Sequence, residues 1–166
     1  KTYGDNRGYF METYNENAFK EAGLNYTFVQ DNQSMSAYGV VRGLHFQKPP
    51  YSQAKLVSCI EGSVLDVAVD LRSDSPTYGQ HFAVVLSEEN HRQFFIPKGF
   101  AHGFSVLSER AVFSYKCDEL YHPEAEGGIL FTDPELGIDW QIPADKMIIS
   151  AKDTCHPLLK DLGNIF

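Results

Sequence analysis

Apolar and polar residues alternate along this chain over short stretches, and turn-forming clusters repeatedly break the alternation. The clearest stretch is Val64-Leu-Asp-Val-Ala-Val-Asp-Leu71, with Leu65, Val67, Val69 and Leu71 on one face and Val64, Asp66, Ala68 and Asp70 on the other. That period of two predicts a β-strand whose second face is partly polar. It enters from a turn at Glu61-Gly62-Ser63 and leaves into Ser73-Asp-Ser-Pro-Thr77. Runs rich in Val, Phe, Tyr and Ile predict further strands at 8–14, 26–32, 40–47, 54–60, 81–86, 92–96, 101–106 and 110–117. Helical signals are confined to two places. Asn15 can cap a short helix over 15–22, in which Ala18, Phe19 and Ala22 share a face and which Gly23 ends, and Pro157–Leu162 predicts a helical turn. The pattern implies an all-β sandwich or barrel with short peripheral helices. With no linker, repeat or low-complexity segment, residues 1–166 read as a single domain.

Composition narrows the function. The formal net charge is -8, from 14 Lys plus Arg against 22 Asp plus Glu, so no basic field exists to hold a long nucleic acid. A few arginines can still build a positive pocket for a small anion. Cys59, Cys117 and Cys155 are odd in number and show no CxxC spacing, which argues against a disulfide framework or a zinc cluster and fits a reducing cytoplasm. The longest apolar runs, such as Ala83-Val-Val-Leu86, are far short of a membrane span, and Lys1-Thr-Tyr-Gly4 does not resemble a signal peptide. The chain lacks an initiator Met, so its N-terminus is read as incomplete.

Chemistry concentrates in Arg42-Gly-Leu-His-Phe-Gln-Lys-Pro-Pro-Tyr-Ser-Gln-Ala-Lys55. Arg42 can bind an anion bidentately, His45 can take and give a proton near neutral pH, and Lys55 can stabilise charge developing on an oxygen. That equipment suits removal of a proton from carbon beside a carbonyl on a phosphorylated substrate. Each residue also has a structural reading. A lone His in an apolar strand is most often a satisfied core residue, and a Lys at a strand start is often a snorkelling surface group. Positions 42 and 45 face opposite ways on a regular strand, so both reach one ligand only through a bend or bulge near Gly43.

Nine motifs carry a family resemblance: Asp5-Asn-Arg-Gly-Tyr-Phe-Met-Glu12, Gln30-Asp-Asn32, Arg42-Gly-Leu-His-Phe-Gln47, Gln53-Ala-Lys55, Asp66-Val-Ala-Val-Asp-Leu-Arg72, Ser75-Pro-Thr-Tyr-Gly79, Ile96-Pro-Lys-Gly-Phe-Ala-His-Gly-Phe104, Tyr115-Lys-Cys117 and Ser150-Ala-Lys-Asp153. In order, from about residue 5 to residue 160, they resemble the dTDP-4-dehydrorhamnose 3,5-epimerases. The resemblance implies a cupin-type jelly roll, or double-stranded β-helix, acting as a homodimer. It implies a nucleotide-diphosphate sugar as substrate, no cofactor, no metal, and epimerisation at C3 and C5 of a 4-keto-6-deoxyhexose in dTDP-L-rhamnose biosynthesis.

The same resemblance assigns roles. His45 becomes the general base, Asp153 the carboxylate that orients it, Tyr115 the proton donor, and Lys55 the cation near the C4 oxygen. Arg7, Glu12, Gln30, Asn32 and Arg42 hold the base, ribose and diphosphate, with Arg7 reaching across the dimer interface. His102, Tyr121, Glu126 and Lys152 complete the substrate-binding set. The segment Pro97-Lys-Gly-Phe-Ala-His102 matches a cupin pattern whose His is a metal ligand in metal cupins, but here the upstream motif reads His45-Phe-Gln47 and Lys55 would oppose a cation. His81, His91, His122 and His156 are expected in solvent. One of Asp66 and Asp70 is expected in the barrel interior and the other in solvent, and Trp140 is expected to pack a loop onto the barrel. Two alternatives stay open: a related cupin isomerase, such as a mono-epimerase or ketoisomerase on another nucleotide sugar, and a noncatalytic nucleotide-sugar binding module.

Overall fold

The computed structural model of the chain describes residues 1–166. A hairpin of β1 (Thr2–Asp5) and β2 (Gly8–Met11) precedes the one α-helix, α1 (Glu16–Glu21), whose cap Asn15 accepts from the backbone N–H groups of Asn17 and Ala18. Ten more strands follow: β3 (Gln30–Ala37), β4 (Val40–Gln47), β5 (Lys55–Glu61), β6 (Ser63–Asp70), β7 (His81–Ser87), β8 (Gln93–Ile96), β9 (Phe100–Val106), β10 (Arg110–Cys117), β11 (Glu126–Gly128) and β12 (Ile148–Ile149). They form two sheets. One runs β3-β10-β5-β8, and the other runs β11-β4-β9-β6-β7 with β12 added beside β4. A single turn of 3-10 helix at Leu159–Asp161 stands where a C-terminal helical turn is expected. No helix is long and apolar enough to cross a membrane.

The alternation in β6 explains how the sheets are filled. Val64 and Ala68 point into a core shared with Val57, Ile96 and Phe113 of the opposing sheet, so the two sheets pack face to face as a jelly roll. Leu65, Val67, Val69 and Leu71 point the other way, into a second core closed by Ile129, Phe131, Leu136 and Trp140 from the long C-terminal segment. Trp140 is anchored there by donating its indole N–H to the Phe131 carbonyl at 2.8 Å. Both faces of β6 are therefore covered, and burial of each such aliphatic side chain stabilises the fold by about 1.5–3 kcal/mol.

Two predicted strands are displaced. The stretch 26–32 becomes β3 at Gln30–Ala37, and 8–14 contributes only Gly8–Met11 to the hairpin. In β3 the inward positions are Gln30, Asn32, Ser34 and Ser36, and the outward ones include Asp31 and Met35. A strand that turns polar residues inward gives no apolar period to read, whereas Tyr26, Phe28 and Val29 just before it do.

Some polar residues expected in solvent are wholly or partly withdrawn from it. Asp70 is 1% exposed and accepts from Arg72, Ser75 and Thr77, which ties the loop after β6 to the strand end. His122 stacks on Tyr51 with ring centroids 3.7 Å apart, and His91 packs against Tyr9. The His156 side chain is 13% exposed beside Asp153.

Candidate active site

β4 carries the centre of the site. Its pairing with β9 runs Val41 to Ser105 and Arg42 to Phe104, then resumes at His45 to His102, so β4 uses one residue more than β9 between these points. This is the expected bulge. It turns the strand so that Arg42 and His45 line the same cavity, of about 560 Å³. Gly43 occupies the bulge with φ 114°, and a Cβ there would stand 2.6 Å from Gly103 Cα and 2.7 Å from the His102 carbonyl oxygen. A side chain would have no room.

His45 donates from Nε2 to Asp153 Oδ1 at 2.6 Å, an assignment that leaves Nδ1 as the ring's lone-pair nitrogen. Asp153 begins a turn of 3-10 helix, and it is fixed by its backbone N–H donating to the Ser150 hydroxyl oxygen and by the Gly43 N–H reaching its Oδ2 at 3.5 Å. Burial pushes the His45 pKa down, the hydrogen bond and charge of Asp153 oppose this, and the net direction is below the ordinary imidazole value. For Asp153, burial favours the neutral acid, but the bonds from His45, Ser150 and Gly43 outweigh it and hold the carboxyl below its usual range. The pair is thus a neutral imidazole on an ionised carboxylate near pH 7.

Across the cavity stands the other sheet. Tyr115 lies in the middle of β10, paired with Asn32 on one side and Val57 on the other, and burial raises its phenol pKa so that it stays protonated. Lys55 opens β5 with its ammonium 5.8 Å from the Tyr115 ring centre. Burial lowers its pKa, with Asp66 and Glu126 among the groups that oppose the shift. His102, opposite His45 on β9, bonds through Nε2 to both oxygens of Asp66 at 3.1 and 2.9 Å. Asp66 is fully buried; desolvation raises its pKa against the pull of His102 and Lys55.

Most of the candidate residues converge. A second recess shares His45, Lys55 and Tyr115 with the first and adds Gln30, Asn32, Tyr121 and Glu126. Glu126 accepts from the Tyr121 hydroxyl at 3.0 Å and pairs with Lys152 at 2.5 Å, while Gln30 accepts from the Tyr121 backbone N–H. Arg42 bonds from Nε to the Ser36 hydroxyl at 3.2 Å, leaving its terminal nitrogens without a protein partner at the cavity edge. Arg7 and Glu12 are not brought to this site within the chain. Arg7 sits in the β1–β2 turn, paired with Asp5 and 84% exposed, and Glu12 lines a separate small cavity with Lys1 and His91.

Three features escaped the sequence: the pairing of His102 with Asp66, the serines of β3, and the place of His156 beside Asp153. Only the polar alternation Gln30, Asn32, Ser34, Ser36 signalled any of them. His45, Asp153 and His156 hold their ligand-type atoms within 4.8 Å of one another, a spacing a metal could span, but two of those atoms are engaged in the 2.6 Å hydrogen bond. Gln47 is likewise occupied, donating to the Tyr51 and Leu120 carbonyls and accepting from the His122 N–H.

Comparison with known proteins gives the family. The family described as dTDP-4-dehydrorhamnose 3,5-epimerase matches over residues 1–161. A protein of that name from Methanothermobacter thermautotrophicus is 58% identical over 154 residues, covering 92% of this chain and 83% of the relative. The crystal structure of one from Elizabethkingia anophelis superposes with a TM-score of 0.93 at 58% identity, covering 99% of this chain and 90% of that one. A dTDP-6-deoxy-D-glucose-3,5-epimerase from Legionella pneumophila, solved with dTDP-4-keto-L-rhamnose, gives 0.94 at 52% identity, covering 98% and 86%. The chain belongs to the dTDP-4-dehydrorhamnose 3,5-epimerase family.

Proposed function

We infer that this protein is an isomerase that inverts C3 and C5 of dTDP-4-keto-6-deoxyglucose, giving dTDP-4-keto-L-rhamnose, with His45 as base and Tyr115 as donor. The observation that carries the residue assignment is the placement of an Asp153-oriented imidazole and a half-buried phenol on opposite sheets around one cavity. Nδ1 of His45 takes the proton from carbon beside the ketone, and the C–H electron pair moves onto the C4 oxygen as an enolate. Asp153 stabilises the imidazolium. Lys55 stabilises the enolate, because a fixed cation in a desolvated site acts where charge develops. Tyr115 then delivers its hydroxyl proton to the opposite face of the carbon, which inverts it, and the phenoxide regains a proton from solvent as the His45 imidazolium releases one to it. The noncatalytic alternative has no use for a base, donor and enolate stabiliser in one cavity.

Arg42, Gln30, Asn32, His102, Tyr121, Glu126 and Lys152 would surround the nucleotide diphosphate and sugar. Arg7 would serve the same ligand in a homodimer, entering the partner's site. What supports this is the projecting β1–β2 hairpin, where Tyr3, Tyr9 and Phe10 are 57%, 58% and 69% exposed. Three unpaired cysteines fit a reducing cytoplasm.

Incubation with dTDP-4-keto-6-deoxyglucose in deuterated water, followed by NMR, tests the function. Deuterium at both C3 and C5 with inverted configuration is expected. Inversion at one carbon alone would make the protein a mono-epimerase, and no exchange would leave only a binding module.

A further inference from the structure

A buried imidazole stands behind the dyad with no hydrogen bond of its own. His156 Nε2 is fully shielded and has no partner, yet it points at Asp153, 3.5 Å from the same Oδ1 that His45 uses. The two rings meet edge to face with centroids 5.6 Å apart. Room for the ring is made by Gly128, the residue of β11 paired directly with His45, where a Cβ would fall 2.5 Å from His156 Nε2. The segment is pinned just beyond, as Leu130 N–H donates to the Pro157 carbonyl at 2.9 Å and Leu159 N–H to Asp133 Oδ2 at 2.6 Å. A buried nitrogen without a partner costs free energy and is uncommon unless it has a use.

We propose that His156 is a positioning residue for the reaction, a second donor to Asp153 that engages when His45 moves toward the substrate. It rests on the reading of His45 as base and Asp153 as its orienting carboxylate. At rest Oδ1 is held at 2.6 Å by His45, and 3.5 Å is too long for a good bond from His156. Any shift of the His45 ring toward the cavity lengthens the first contact. A donor already seated 3.5 Å from that oxygen then keeps the carboxylate from following or rotating. Asp153 and His45 meet the His156 ring directly, and the charged groups that share its recess are Lys152 from its own segment, Lys48 from the loop after β4, Glu126 from β11 and Asp161 from the C-terminal turn. Of these, Asp153 lies in direct line. A positive charge on His156 would weaken the basicity of His45, as the direction of their coupling shows.

The test uses the full chain in three variants, His156→Phe, His156→Gln and His45→Ala, assayed for turnover, deuterium exchange and thermal stability. His156→Phe fills the slot without a donor, and kcat should fall about tenfold with KM within about twofold, the size of loss that slight misplacement of a catalytic group produces. Its acid limb should move to higher pH. His156→Gln restores an N–H donor and should recover most of kcat. Wild-type turnover and an unmoved acid limb in His156→Phe, with His45→Ala inactive, would overturn this inference and leave the base intact. Equal loss of activity and stability in Phe and Gln variants would also overturn it, since the ring would then be packing only. Full exchange by His45→Ala would remove the base assignment and the inference with it.

Discussion

His45 and His102 are direct partners across the β4–β9 ladder, yet each imidazole is held by a different carboxylate, Asp153 at 2.6 Å and Asp66 at 2.9 Å. The pairs differ in access. The His45 side chain is 29% exposed to the cavity, whereas His102 is 8% exposed and its Asp66 is fully buried.

That difference separates a pair whose imidazole is open to the cavity from one whose carboxylate is locked in the core. Asp66→Ala leaves His102 facing a buried void and should lower unfolding stability by about 1–3 kcal/mol, the cost of an unsatisfied buried polar group. Asp153→Asn keeps a hydrogen-bonding group in place. It should cut turnover by less than His45→Ala while changing stability little. Denaturant titration beside a turnover assay checks both, and a larger stability loss for Asp153→Asn would reverse the assignment.

Rate against pH should report His45. A base works when neutral, so activity is kept above its pKa and lost as pH falls through it. Burial sets that pKa below the free value of about 6.5, and the acid limb of kcat/KM should lie there too. Asp153 raises the His45 pKa and Lys55 lowers it. Asp153→Asn should therefore move the limb to lower pH and Lys55→Met to higher pH. Movement of both in one direction would show that another group titrates.

Prolonged chelation should leave turnover unchanged, with no stoichiometric transition metal by elemental analysis. The argument is the donor set: Gln47 is spent on backbone groups of two loops, and Lys55 places a cation in the cavity. Loss of activity on chelation, restored by one divalent ion, would instead point to the His45, Asp153 and His156 cluster as a metal seat.

Much of this was legible in the chain because burial imposes a period. β6 alternates between two cores, and its strand could be placed from side chains alone. The bulge at Gly43 was also implied, since Arg42 and His45 could not otherwise serve one ligand. Two kinds of feature were hidden. β3 spends its inward face on Gln30, Asn32, Ser34 and Ser36, so the requirement for a polar cavity erased the hydrophobic signal that locates strands. Asp153 lies 108 residues from His45, and nothing local at either position encodes their contact. Family resemblance joined them, but it named neither the Asp66–His102 pair nor the slot opened by Gly128, both of which depend on cross-strand register.

Proton removal and proton delivery are divided between the two sheets, and two substitutions should separate them. In Tyr115→Phe the ring still packs near Phe113 and the hydroxyl alone is lost, so the barrel should survive. His45 can still take a proton and return one to the same face. The variant should then exchange solvent deuterium into the 4-keto sugar with retained configuration while forming little inverted product, at least at the carbon first enolised. A loss of about 10²–10⁴-fold in inversion is the usual size for removing an acid–base group. Lys55→Met acts earlier, on the enolate common to both outcomes, and should slow exchange and inversion together. NMR of both variants in deuterated water distinguishes the steps. Inversion of both centres by Tyr115→Phe at the normal rate would move the donor role to another group, with Tyr121 in the adjoining recess the next to test.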